Sequence, residues 1–192
     1  MNSGKSMHLL AKSHNFDERG IFHILLKPAI DTRDKGVIHS RSLPDKECLI
    51  LEKDELPIDK IYPFLNESDR KLDWILIDEA QFLTEEQVNN LVTIVDYWGV
   101  SIICYGLRTD SRTQLFEGSK RLLEVADTIE EIKSSCHCGR KTIFNARIDK
   151  DGDIDLGGEQ ILVGSEEKYI SLCRKCYLDK VFGEDSFNID EQ

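Results

Sequence analysis

Residues 73–82 read DWILIDEAQF, and the order of residue types there decides the fold. The stretch Asp73 to Asp78 (DWILID) is a short apolar run with few polar interruptions, the composition of a strand buried on both faces. Asp78 and Glu79 close it, so two carboxylates fall at the strand's carboxyl end, where open α/β sheets gather their ligands. Thr84 to Trp98 then carries apolar residues at Val88, Leu91, Val92 and Val95, which is helical spacing. Thr84-Glu85-Glu86-Gln87 is a capping-box start, and Gly99 ends the helix. Val100 to Gly106 (VSIICYG) is a second buried strand. Strand, helix, strand with unbroken apolar runs predicts a parallel sheet flanked by helices.

Upstream, Ile21 to Lys27 is a further apolar run fit for a buried strand, and Gly4 to His14 opens a helix. At that helix start stands Ser3-Gly4-Lys5-Ser6, the second half of the phosphate loop G-x-x-x-x-G-K-[ST]. Glycine lets the backbone curl so that several N–H groups face phosphate, and Lys5 brings a cation to the β and γ phosphates. The Ser6 hydroxyl can ligate Mg²⁺, and the helix offers its positive end. G-K-S alone recurs by chance; its value here lies in leading directly into a helix. The loop's first glycine and the strand that feeds it are expected upstream of Met1. Asp78 is then positioned to hold Mg²⁺, directly or through water, and Glu79 to accept a proton from a substrate hydroxyl. The expected fold is a P-loop NTPase-like α/β sheet over residues 1–132.

Ser119 to Ala126 reads as one more helix, after which the texture changes. Short alternating segments (Lys141 to Ile148, Gln160 to Val163) are separated by Asp- and Gly-rich turns. Cys136-x-Cys138 and Cys173-x-x-Cys176 bracket them, and four thiolates suit a tetrahedral, structural Zn²⁺. A closed all-thiolate site leaves no open coordination position, so such a zinc holds the fold and performs no chemistry. Residues 133–182 are thus expected to be a small zinc-stapled β module, and residues 183–192 an acidic tail. Cys104, inside an apolar strand, reads as core.

The formal net charge of −11 counts against non-specific nucleic-acid binding, which needs a basic footprint. It leaves room for an anionic ligand at a local site of N–H groups and a few cations. No apolar run approaches membrane-spanning length. The N-terminus has no signal-peptide layout, so the expected location is cytoplasmic, and the six cysteines are better read as thiols or metal ligands than as disulfides.

These residues together resemble the type II thymidine kinases, the tetrameric, zinc-containing class. The matching pieces are MNSGKS at the start, KPAIDTR (27–33) with IHSR (38–41), DEAQF (78–82), YGLRTD (105–110), CHCGRK (136–141), NAR (145–147) and the EKY…CRKCY segment (167–177). They follow family order across nearly the whole chain. The resemblance implies transfer of the ATP γ-phosphoryl group to the 5′-hydroxyl of thymidine or deoxyuridine, in pyrimidine deoxynucleoside salvage. It implies Glu79 as general base and Asp78 as a magnesium-site residue. Ser3, Gly4, Lys5, Ser6, Arg33 and Gln81 would bind the phosphates of ATP. Met1, Phe82, Leu107 and Phe116 look like walls of the thymine pocket. Ile161 to Tyr169 looks like a lasso-like loop closing over the nucleoside, with backbone near Val163 and Gly164 on the base edge and Tyr169 packed on base or sugar. Asn145 would lie near the thymine methyl. A homotetramer and feedback binding of thymidine triphosphate are further implications.

Ser111 departs from the family, which usually has Phe there; its loss would weaken nucleoside packing by about 1–2 kcal/mol. The residues also leave two other classes open. A catalytically impaired binding homologue would follow from a phosphate loop that is only half present. An ATPase acting on nucleic acid would need a basic, aromatic-interleaved groove, which the sequence does not offer.

Overall fold

A computed structural model describes residues 4–29, 36–66, 70–157 and 168–183. Contacts divide them into two units: Gly4–Arg108 with Phe116–Ile129, and Thr109–Leu115 with the described residues from Glu130 onward.

The first unit is built on a parallel sheet. Helix α1 (Lys5–Glu18) leads to β1 (His23–Pro28), the short antiparallel pair β2 (Val37–Ile38) and β3 (Lys46–Glu47), then β4 (Leu49–Leu51) and α2 (Pro57–Asn66). After these come β5 (Trp74–Ile77), a 3₁₀ turn (Ala80–Phe82), α3 (Glu85–Trp98), β6 (Ser101–Cys104) and α4 (Glu117–Val125). The strand order is β4-β1-β5-β6, every pairing parallel.

Alternation along each strand explains the unbroken apolar runs, because both faces are covered. Leu25 and Leu76 point to a layer formed by Leu9, Leu10 and Phe16 of α1, joined by Ile38. Ile24, Leu26, Ile75 and Ile77 point the other way, toward Ile61 of α2 and Val88, Leu91 and Ile94 of α3. Leu26, Ile75, Leu76 and Ile77 are fully or almost fully buried. Truncating any one to Ala would cost about 2–5 kcal/mol.

Local signals agree with these elements. Thr84 Oγ1 accepts from Gln87 N–H at 3.1 Å while Gln87 Oε1 accepts from Thr84 N–H at 3.0 Å, a complete capping box. Gly99 closes α3 in the left-handed region at φ 63°, where any side chain would be strained. Helix α1 continues one turn past His14, because Phe16 packs on the Trp74 ring at 5.3 Å. Helix α2 escapes the sequence signals: it carries Pro63 inside it.

The second unit pairs β7 (Phe144–Ile148) antiparallel with β8 (Lys168–Leu172), followed by α5 (Arg174–Phe182). The expected strand from Lys141 is shortened at its start. Thr142 N–H bonds to Ser134 O, and Ser135 bridges to Lys141, so these residues shape the turn that carries Cys136 and Cys138. Ala146, Leu172 and Tyr177 form the small core with Cys136 and Cys173. The expected segment Gln160 to Val163 and the 183–192 tail, past Gly183, lie outside the described residues. No helix among the described residues is long and apolar enough to cross a membrane.

One contact fixes α4 against the 3₁₀ turn. A Cβ placed on Gly118 would meet Leu83 O at 2.5 Å, Ala80 O at 2.9 Å and Gln81 O at 3.0 Å, all backbone atoms that cannot swing aside. Gly118→Ala is therefore expected to destabilise the chain by about 1–3 kcal/mol. An unchanged urea midpoint would refute this account of the packing.

Candidate functional site

Helix α1 and strand β5 meet end to end. Gly4 stands at the N-cap of α1 at φ 74° and makes no side-chain cap, and the N–H groups of a first helical turn lack intrahelical partners and can meet an anion. Ser6 Oγ–H donates to Asp78 Oδ2 at 2.8 Å, which ties the helix start to the carboxyl end of β5. Asp78 N–H donates to Leu26 O at 3.0 Å, so the acid still sits on the sheet ladder. Lys5 is buried despite its charge. The structure thus brings together four residues singled out from the sequence: Gly4, Lys5, Ser6 and Asp78.

Asp78 is itself buried, and its environment pulls in two directions. Burial pushes its pKa above the ordinary 3.8, and the neighbouring Glu79 charge pushes the same way; the Ser6 hydroxyl, the Glu79 N–H and the Lys5 charge oppose them. The net shift is upward.

Glu79 occupies the left-handed region at φ 50°, ψ 37°, uncommon for a residue with a side chain. Its carboxylate accepts from Gln81 Nε2 at 2.5 Å, and Gln81 Oε1 accepts from Leu107 N–H at 3.0 Å. Ala80 N–H donates to Tyr105 O at 2.9 Å. The turn after β5 is therefore stitched to the segment after β6, and Gln81 lies buried between them. The Glu79–Gln81–Leu107 link has no signal in local sequence, because it depends on a backbone angle that no residue pattern announces.

Phe82 and Phe116 meet edge to face, with ring centroids 5.7 Å apart. Leu107 is half-buried, and its carbonyl accepts from Ser119 Oγ–H at 2.5 Å. A cavity of about 150 Å³ opens beside Phe82, walled by Pro28, Ala29, Leu51 and Gln87.

In the second unit, Asn145 and Tyr169 stand on neighbouring strands. Register pairs Asn145 with Ser171 and Arg147 with Tyr169, which puts all four on one face of the hairpin. Asn145 Oδ1 accepts from Ser171 Oγ–H at 3.1 Å. Ser111 is half-buried, and its carbonyl accepts from Tyr177 O–H at 3.1 Å. Met1, Ser3, Arg33, Val163 and Gly164 lie outside the described residues.

The sulfurs of Cys136, Cys138, Cys173 and Cys176 all lie within 4.8 Å of one another. Cys138 and Cys173 are 3.6 Å apart, far beyond a disulfide and close to the about 3.8 Å edge of a tetrahedron with 2.3 Å metal–sulfur bonds. Gly139 at φ 83° turns the chain so that its N–H returns to Cys136 O. The Cys176 N–H donates to Cys173 Sγ and helps bring that thiol's pKa down to about 6. Cys176, hydrogen-bonded first to Cys138, is pushed up to about 12. Four sulfurs gathered this closely form a donor set that suits a soft, tetrahedral cation.

The model of the thymidine kinase family matches residues 1–177. The chain is 45% identical over 175 residues to the thymidine kinase of Enterobacteria phage T4, covering 91% of this chain and 90% of that protein. It is 45% identical over 181 residues to the thymidine kinase of Legionella pneumophila (strain Paris), covering 92% and 85%. It is 43% identical over 175 residues to that of Mannheimia succiniciproducens, covering 91% and 89%.

The raised pKa of Asp78 has a signed consequence for stability. The folded chain holds this proton more tightly than the unfolded chain. Ionisation therefore removes stability from the ordinary value of 3.8 up to the raised folded value, and the loss persists above it. In Asp78→Asn the lost carboxylate acceptor is a pH-independent offset. Without nucleotide or magnesium, the stability of this variant relative to the parent should climb as pH rises above about 4. A flat difference in thermal midpoint across that range would contradict the shift.

Proposed function

The chain belongs to the thymidine kinase family, and we propose that it transfers the γ-phosphoryl group of ATP to the 5′-hydroxyl of thymidine, with Glu79 as the base. The observation that carries this reading is the Ser6–Asp78 hydrogen bond. It sets a helix N-terminus, a buried lysine and an acidic pair at one end of the sheet.

Phosphoryl transfer asks for positioning and charge neutralisation, with one carboxylate to orient the nucleophile. Gly4, Lys5 and Ser6, with the N–H groups of α1, cradle the triphosphate; Ser3 and Arg33 extend that cradle. Asp78 and the Ser6 hydroxyl are hard oxygen donors 2.8 Å apart, a pair suited to Mg²⁺. A magnesium ion there supplies charge neutralisation to the phosphates. Ser6 can coordinate through an oxygen lone pair while its O–H still donates to Asp78. Glu79 accepts the proton of the 5′-hydroxyl as the new P–O bond forms, and the ADP oxygen leaves with the electrons of the broken bond.

Phe82, Leu107 and Phe116 wall the thymine ring, with Met1 completing them. Asn145, Val163, Gly164 and Tyr169 are further nucleoside-binding residues in this reading. The four cysteines hold a structural Zn²⁺ that stabilises that unit. A homotetramer, feedback by thymidine triphosphate and a cytoplasmic location belong to the same reading.

Glu79→Gln should lower kcat by about 100- to 10,000-fold while ATP binding by titration stays within about twofold. Full activity in that variant would remove Glu79 as base. A parent chain that binds ATP and thymidine without turnover would make it an impaired homologue. Cys173→Ser should reduce bound zinc from about one per chain toward none and lower the thermal midpoint. Unchanged metal content by atomic absorption would reject the zinc assignment.

A further inference from the structure

We infer that Gln81 is a positioning residue that aims the Glu79 carboxylate, and not a ligand of the ATP phosphates. The inference rests on the reading of Glu79 as base.

Gln81 is 2% exposed, so it has little surface to offer a triphosphate. Its amide is already engaged at both ends, with Nε2 donating to Glu79 Oε2 at 2.5 Å and Oε1 accepting from Leu107 N–H at 3.0 Å. The orientation of the amide follows from these partners. Reversed, it would set oxygen against a carboxylate oxygen and NH₂ against an N–H, losing both bonds.

Glu79 needs such a restraint. It sits at φ 50°, a conformation that surrounding structure must hold in place. Two links hold it: Ala80 N–H to Tyr105 O at 2.9 Å, and the Gln81 side chain to Leu107. Gly106 makes the second link possible. A Cβ there would stand 3.0 Å from Gln81 Oε1 and 3.1 Å from Gln81 N, tighter than ordinary contact. The Gln81 bond to Oε2 fixes the rotation of the Glu79 carboxylate while leaving lone pairs free to receive a proton. Gln81 thus sets where the Glu79 carboxylate stands, and a misplacement of about 1 Å can cost about 100-fold in rate.

The test is steady-state kinetics of the full chain with ATP and thymidine, comparing Gln81→Met and Gly106→Ala with the parent and with Glu79→Gln. Gln81→Met keeps length and volume but cannot donate to Glu79. It should lower kcat by about 10- to 100-fold with the KM and the binding constant for ATP within about twofold. Gly106→Ala disturbs the same link from the other side and should show the same selective loss of kcat. It carries the test alone if Gln81→Met does not fold. A rise in KM for ATP with kcat preserved would overturn the inference and make Gln81 a phosphate ligand; unchanged kinetics in both variants would overturn it as well. Glu79→Gln separates the two levels. If it stays active, the base assignment fails; if it is inactive while Gln81→Met behaves as the parent, only the role of Gln81 fails.

Discussion

The hydrogen bond from Ser6 Oγ to Asp78 Oδ2 joins the first helical turn of the chain to the end of a strand whose partner lies far along the sequence. It works because Asp78 is buried where β5 leaves the core, with the neighbouring carboxylate raising the electrostatic tension further. A bond to a charged acceptor in such a place contributes about 1.5–3 kcal/mol, and it orients two oxygens toward the same point. The packing beneath serves this meeting. Leu9, Leu10 and Phe16 seat α1 on one face of the sheet, so the helix arrives with its N-terminus at the acidic rim.

Around that point the structure accepts local disadvantage in return for direction. Asp78 is ionised less readily than an exposed acid, and Glu79 is bent into a left-handed turn. Neither would persist on a loose loop. The 3₁₀ turn that carries Gln81 and Phe82 is gripped on two sides: by the segment after β6 through Leu107 and Tyr105, and by α4 through Gly118. Rigid neighbours hold a short irregular stretch in one geometry.

The sheet and its flanking helix α3 were legible because their signals are local. An apolar run covered on both faces marks β5 and β6, and Thr84 with Gln87 marks the helix start that the capping box realises. The cysteine quartet was legible too, since four sulfurs at two short spacings have few other uses. The strands β2, β3 and β4, of two or three residues each, were not, because so short a run carries no period. Helix α2 hides behind Pro63, and the start of α4 lies earlier than its apolar pattern, just after Phe116, whose side chain makes no capping hydrogen bond that a sequence could announce. In the site, residue types announced Asp78 and Glu79, but the link through Gln81 arises from tertiary approach at Gly106.

The ribbon Thr109–Leu115 counts with the unit that holds the cysteine cluster although the chain leaves it again at Phe116. Tyr177 on α5 anchors this ribbon through Ser111 O, and Asp110 braces it from within by accepting from the backbone of Arg112 and Gln114. The module is therefore threaded, not appended. Recombination at one breakpoint near residue 130 would carry the cysteines into a new host without the strip of chain on which α5 leans. Exchange between relatives must move two separated pieces together, so this architecture favours inheritance of the whole chain over shuffling of its parts.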